Sequence, residues 1–360
     1  MKIAPIRWIA GGLLAISFLL VSIPQVVGQD ATRVPGVVLE EFLFEEVPFP
    51  SCHASTICDT KRGLVAAWFG GTREGAVDVG IWLTRQVEGK WTGPVLVADG
   101  IPEEGPRIPC WNPVLFQIPN GDLLLFYKVG PSPSSWWGMA KRSRDGGVSW
   151  SEAVQLPNGY LGPVRNKPLW IDGQMLCGSS TEDDSWRVHF ERIDPEFKEW
   201  VFLGLRRQEG SFNVIQPTLL QYSDGRIQAL CRSQEGSIIE TWSSDRGETW
   251  SQLTPLALPN PNSGIDGVTL RDGRQLLVYN HTRKEEGTPR GREMLNVAVS
   301  NDGRDWASVG VLERGAGEYS YPAVIQTNDG KVHVTYTHER KRIKHVVIDP
   351  RLIEGTTNQR

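Results

Sequence analysis

The chain has 360 residues, enough for one large domain or two smaller ones. Its formal charge of −4 lacks the basic footprint of nucleic-acid binding, so nucleic acid is not an expected partner. Fourteen Trp and 38 Gly stand beside only five scattered cysteines (Cys52, Cys58, Cys110, Cys177, Cys231), a composition that excludes a disulfide framework and favours a β-rich chain with many glycine turns.

In chain order, Lys2 and Arg7 precede an apolar run over residues 8–21, followed by small and polar residues up to Gly28 and Gln29. A basic start, a short apolar centre and a small residue before a cut describe a secretory signal peptide over residues 1–28. The run is short for a membrane-spanning helix. The expectation is an exported protein, periplasmic or secreted, with no stable membrane insertion once that segment is removed and residues 29–360 forming a single domain. A β-rich segment follows at 37–44.

Beyond it a motif recurs: Ser, Asp, Gly and Trp at positions 143, 145, 147 and 150, again at 243, 245, 247 and 250, and in shortened form as Ser300, Asp302 and Trp306. Decayed copies occupy 84–91 and 193–200. Asp in a tight turn bonds the backbone, Gly supplies the unusual dihedrals, and Trp is expected to plug the hairpin. In phase with this, an apolar stretch ends in a Gly turn before a second β-rich run, as in 113–121 then 123–126, 217–225 then 227–230, and 322–330 then 332–335. With further starts near His53, Lys167 and Ile265 there are six units of four strands, and repeated four-stranded units arranged radially are propeller blades. The last unit lacks a fourth strand and the N-terminus has a spare one. The predicted fold is therefore all-β: a six-bladed β-propeller with Asp-box turns, its ring closed by the segment 37–44.

Inner strands start, and second strands end, on one rim. Strand starts carry His53, Asn112, Arg165, Lys167, Gln216, Asp266 and Tyr321; second-strand ends carry Arg73, Lys128, Glu182, Arg232, His281 and Arg340. These side chains are expected to converge as a polar cup, with the Asp turns on the opposite rim. The excess of Arg and Lys favours an anionic ligand. Neither CxxC nor HExxH occurs, so no zinc and no cofactor is expected.

Asp-boxes on six blades, with the runs 68–74 (Trp-Phe-Gly-Gly-Thr-Arg-Glu) and 319–322 (Tyr-Ser-Tyr-Pro), resemble the sialidase (neuraminidase) superfamily, in particular a bacterial sialidase-like branch. The resemblance implies three arginines on the substrate carboxylate, a tyrosine nucleophile with an activating glutamate, and an aspartate acid/base. By that pattern Asp78 resembles the acid/base, Arg232 the second arginine and Arg292 the third. Tyr321 is the nucleophile if the Asp329–Gly330 turn is aligned without a gap, and Tyr319 if the Tyr-Ser dipeptide is matched; Tyr321 is preferred.

Two features depart from the pattern. Cys52 and His53 stand where the first arginine is expected, and Arg107-Ile-Pro introduces blade 2 instead. Gln216 stands where the activating glutamate is expected, and glutamine takes no proton. His53, Glu182 and His281 are the candidates to replace it. Three functions follow from this reading: hydrolysis of a terminal acidic sugar such as sialic acid, a polysaccharide lyase acting on uronates through His53, Tyr321, Arg232 and Lys167, or glycan binding without catalysis.

Overall fold

The computed structural model describes Met1 and residues 32–354 apart from 102–104, 120, 184, 206–211 and 284–290. The expected signal segment, from residue 2 onward, lies outside the described residues. From Thr32 the chain forms six antiparallel sheets, each a blade.

Blade 1 comprises Ser51–Thr60, Gly63–Gly71 and Gly80–Val87, with Lys90–Trp91 and Val95–Ala98 both paired to the third strand. Blade 2 runs Cys110–Gln117, Leu123–Val129, Trp137–Ser143 and Val154–Gln155. Blade 3 runs Leu169–Ile171, Gln174–Glu182, Trp186–Ile193 and Trp200–Gly204; blade 4 runs Val214–Gln221, Ile227–Ser233, Ser237–Ser243 and Thr254–Pro259. Blade 5 runs Asp266–Thr269, Gln275–Tyr279, Met294–Ser300 and Trp306–Arg314. Blade 6 takes Tyr319–Gln326, Val332–His338 and Arg342–Ile348 from the C-terminal end and Val37–Phe42 from the N-terminal end.

The ring therefore closes as the strand count predicts, but the closing strand stops at Phe42. Leu43 still donates its N–H to the Ile343 carbonyl (3.0 Å), and Leu43 and Phe44 are buried in a cluster shared by blades 1 and 6, where the Phe44 ring stacks on Trp68 at 4.8 Å. Trp91 of blade 1 donates its indole N–H to Glu41 Oε1 (2.8 Å), a second tie across the closure. Closure pairs Arg342–Ile348 on both sides, where it would otherwise be the bare edge of blade 6.

The Asp-box turns are built locally. Ser143 Oγ donates to Asp145 Oδ1 and accepts the Gly147 N–H (both 2.8 Å), and Asp145 Oδ1 accepts from the Val148 and Ser149 N–H groups. The arrangement recurs at Asp245 and Asp302. The motif Trp, however, reaches outside its own hairpin. Trp250 stacks on Phe190 of blade 3 with ring centroids 3.7 Å apart, and Trp306 packs against a cluster that joins Leu220 and Tyr222 of blade 4 to Leu277 and Tyr279 of blade 5. The repeat is thus also the glue between neighbouring blades, because a planar indole fills the wedge that two twisted sheets leave at their outer end.

All five cysteines are buried within strands, and burial pushes the Cys58 and Cys110 thiols up to about 12, which leaves them as small apolar fillers.

Four inner strands share a feature that the sequence pattern does not announce. In blades 1, 2, 4 and 6 the register slips at Ala54, Asn112, Gln216 and Tyr321, each with positive φ (54°, 38°, 55° and 54°). This is a β-bulge at the cup rim, and in three cases proline follows, a residue that strands tolerate chiefly at bulges. In blade 1 the bulged residue is Ala54, so His53 stands one residue before the position that Tyr321 holds in blade 6.

Candidate active site

The bulges of blades 4 and 6 bring Gln216 and Tyr321 onto the same nitrogen of Arg232. Arg232 Nη1 donates to the Tyr321 hydroxyl (2.5 Å) and to Gln216 Oε1 (3.2 Å), while its Nε donates to Asn262 Oδ1 (2.9 Å). Gln216 Nε2 in turn donates to Glu182 Oε1 (2.8 Å). A continuous polar chain thus runs Tyr321–Arg232–Gln216–Glu182, with the glutamine amide between the arginine and the carboxyl. Burial raises the Glu182 pKa and nearby Glu74 adds to it, against the charge of Arg232 and the Gln216 bond.

Three guanidinium groups surround the Tyr321 ring: Arg165 at 5.1 Å from its centroid, Arg292 at 5.3 Å and Arg232 at 5.6 Å. Blade 3 thus supplies, through Arg165, a cation that blade 1 does not carry at its strand start. Arg165 is only 3% exposed and donates to Asn166 Oδ1 (2.7 Å) and the Pro322 carbonyl (2.6 Å). Burial brings its pKa down to about 10, with the Asp266 charge opposing. Arg232 is 6% exposed, and neither guanidinium forms an ion pair among the described residues.

Arg292 differs, since its Nη1 donates to Glu318 (2.9 Å). Glu318 also accepts from Arg340 (3.0 Å), and Arg340 reaches Glu74 on the loop 72–79. Burial opposes ionisation of Glu318, but Arg340 and Arg292 outweigh it and hold its carboxyl at about 2. His53 packs its ring at 4.1 Å from that of Tyr321, and its Nδ1 meets Thr337 Oγ1 at 2.9 Å. Burial first, then the charges of Arg340, Arg292, Arg165 and Arg232, hold His53 well below its usual pKa, so it is neutral. His53 Nε2, Arg165 Nε and Arg292 Nε are buried with no hydrogen-bond partner among the described residues.

The two tyrosines separate. Tyr321 lies in the arginine cluster, whereas Tyr319 packs in the core of blades 5 and 6 against His338 at 5.0 Å. Asp78 is exposed on the loop that also carries Arg73, and its carboxylate accepts from the Thr72 hydroxyl (2.6 Å) and N–H (2.9 Å). Those bonds, the hydroxyl's first, lower its pKa, opposite to what a proton donor needs.

Other rim candidates are consumed internally. Lys128 is fully buried with its ammonium on the Pro163 carbonyl (2.9 Å), and burial brings its pKa to about 7. Lys167 pairs with Asp266 (3.0 Å), and Asp266 also accepts from Thr218 Oγ1 and the Val324 N–H, so this pair pins blades 3 to 6 together. Asn112 is buried at its bulge and makes no hydrogen bond to the tyrosine–arginine cluster, and His281 contacts the Tyr279 hydroxyl. Among the described residues no group of three or more His, Cys, Asp or Glu is placed to hold a metal, and no helix is long and apolar enough to cross a membrane.

Sequence reasoning missed the wall behind the arginines. Asn262 has φ 60° and backs two of them, its side chain on Arg232 and its carbonyl on Arg292 Nη2 (3.3 Å). A Cβ at Gly264 would stand 3.2 Å from both Arg165 Nε and Tyr321 Cγ, so a side chain there would displace both by a few tenths of an ångström. The signal for this wall was the turn-rich run Pro-Asn-Pro-Asn-Ser-Gly at 259–264.

Solved structures share this fold at low identity. A protein of unknown function from Dyadobacter fermentans aligns with TM-score 0.70 at 17% identity, over 86% of this chain and 98% of that one. The intramolecular trans-sialidase from Ruminococcus gnavus, in complex with oseltamivir carboxylate, aligns with TM-score 0.68 at 12% identity, over 88% and 98%. Trypanosoma rangeli sialidase in complex with sialic acid aligns with TM-score 0.66 at 15% identity, over 88% of this chain but only 57% of its own length. No curated protein sequence matches the chain. Residues 62–334, most of the propeller, match the BNR repeat-like domain, and the chain belongs to that family.

Proposed function

We propose that the cup binds the carboxylate of a terminal acidic sugar and that the protein is a sialidase-like exo-glycosidase. One observation carries this reading: Arg165 and Arg232 are buried guanidiniums that touch no carboxylate among the described residues, both lying on Tyr321. Buried charges are normally paired, and planar forks suit a carboxylate. The structural relatives from R. gnavus and T. rangeli, bound to oseltamivir carboxylate and sialic acid, support the same ligand class.

In this reading the Tyr321 oxygen attacks the anomeric carbon, its proton passing to the neutral His53 packed against it, and the bond to the leaving oxygen breaks. A phenol suits an anionic sugar, which repels a carboxylate nucleophile. Arg232 stands where negative charge gathers when that oxygen departs again during hydrolysis. Glu182, with its raised pKa, is better suited than Asp78 to protonate the leaving group. The test is product analysis on sialylated and uronate-terminated glycans. Wild type should release a free acidic sugar, and Tyr321→Phe should bind but not turn over. Activity retained in Tyr321→Phe, or no release from any glycan, would sink the proposal.

A second reading rests on the His53 ring against Tyr321 and on Gln216 at the activating position. Neutralising a uronate with arginine and moving protons through His and Tyr is β-elimination, and its unsaturated product absorbs in the ultraviolet, which the hydrolase product does not. The proposal also places the protein outside the cytoplasm, with residues 1–28 as its signal. Mass spectrometry of the exported protein should find the new N-terminus near Gly28, and an intact Met1 in a membrane fraction would instead indicate an anchor.

A further inference from the structure

We propose that the cavity between blades 2 and 3 is a second sugar subsite, taking the neutral sugar next to the acidic residue held in the cup; this rests on the glycan reading above. The cavity measures about 340 Å³ and is lined by four aromatic residues, Trp136, Trp137, Tyr160 and Phe202. Topology places it on the cup side. Trp136 immediately precedes the third strand of blade 2, Tyr160 lies on the connection into blade 3, and Glu182 ends the second strand of blade 3.

Glu182 joins the two sites. It lines the cavity, and its Oε1 accepts from Gln216, the residue that Arg232 also holds. A glycan whose terminal sugar sits on Arg232 therefore has its next residue within reach of this cavity. Two other cavities, at the outer strands of blades 1 and 2 and at the outer edge of blade 4, share no residue with the tyrosine–arginine cluster.

The lining selects the ligand class. Aromatic faces suit the apolar C–H face of a pyranose, and a few polar groups around them fix its hydroxyls. Phe202 is 52% exposed although it stacks on His189 at 4.7 Å, so half of a large apolar ring is left for a ligand. Trp136 is more than nine-tenths buried and its indole N–H has no acceptor among the described residues. Among the described residues the lining contains acidic but no Lys or Arg side chains, which disfavours a second anionic sugar. Charge thus sorts the chain: the acidic sugar goes to the guanidiniums and the neutral one to the rings.

The experiment titrates lactose, N-acetyllactosamine, chitobiose and cellobiose into the full chain, following tryptophan fluorescence, alongside free sialic acid and glucuronic acid. At least one neutral disaccharide should bind wild type, weaken about tenfold in Phe202→Ala, recover in Phe202→Trp and stay unchanged in Arg232→Ala. The free acidic sugar should show the reverse pattern. If no neutral disaccharide binds, or if Phe202→Ala leaves that binding intact, the subsite is overturned while acid binding through Arg232 still stands. If neutral binding depends on Phe202 but neither acidic sugar binds, the subsite holds and the carboxylate reading of the cup falls.

Discussion

Replacing Arg165 by methionine asks whether this side chain is kept for ligand or for fold. The guanidinium is 3% exposed and, among the described residues, has two neutral acceptors, one unpartnered N–H and no ion pair. Burying an ion costs several kcal/mol, and two charge-assisted hydrogen bonds return about 1.5–3 kcal/mol each. The terms nearly cancel, so Arg165→Met, similar in length, should change stability by no more than about 2 kcal/mol in either direction. Binding has no such cancellation. A carboxylate that loses one charged hydrogen bond should bind about 1.5–3 kcal/mol more weakly, roughly 10- to 150-fold. Denaturant unfolding and calorimetric titration with an acidic sugar measure the two sides. Arg165 and Arg232 share a ligand and a tyrosine, so the double variant should lose less than the sum of the singles. A loss of stability above about 4 kcal/mol with affinity intact would show that Arg165 is a structural strut and refute the reasoning.

Three other outcomes are expected. Deleting residues 32–44 removes the outer strand of blade 6 together with buried Val34, Leu43 and Phe44, about 1.5–3 kcal/mol each. That approaches the whole stability of a domain, so urea unfolding should lose its cooperative transition; an unchanged curve would place closure elsewhere. The Glu318 carboxyl is held at about 2, below the ordinary value near 4.3, so it adds stability above about pH 4.5 that is lost as pH falls toward 2. Glu318→Gln should flatten that acid limb of a melting-temperature profile, and an unaltered limb would count against the Arg292–Glu318–Arg340 network. Gly264→Ala should push Arg165 and Tyr321 by a few tenths of an ångström and impair acidic-sugar binding more than stability, which equal losses in titration and melting would contradict.

The sequence by itself determined the architecture. Each Asp-box is a set of bonds among residues at most a few positions apart, such as Ser143, Asp145 and Gly147, so its chemistry is legible in a short window. Counting those windows gives the blades, and a missing last strand beside a spare first one gives the closure. The cup was only partly legible. Strand ends located Arg232, Tyr321, Arg165 and Glu182 on one rim, and the resemblance located Arg292. Only the tertiary structure decided that Arg165 joins Arg232 and Arg292 on Tyr321, that Lys167 is taken by Asp266, and that Lys128 turns inward to Pro163. It also decided that Tyr321 rather than Tyr319 meets the arginines, because a one-residue bulge sets which side chain the rim presents. The physical reason is range. A turn is fixed by neighbours in sequence, whereas the cup is fixed by side chains as distant as Arg165 and Pro322, whose meeting depends on how six twisted sheets close into one ring.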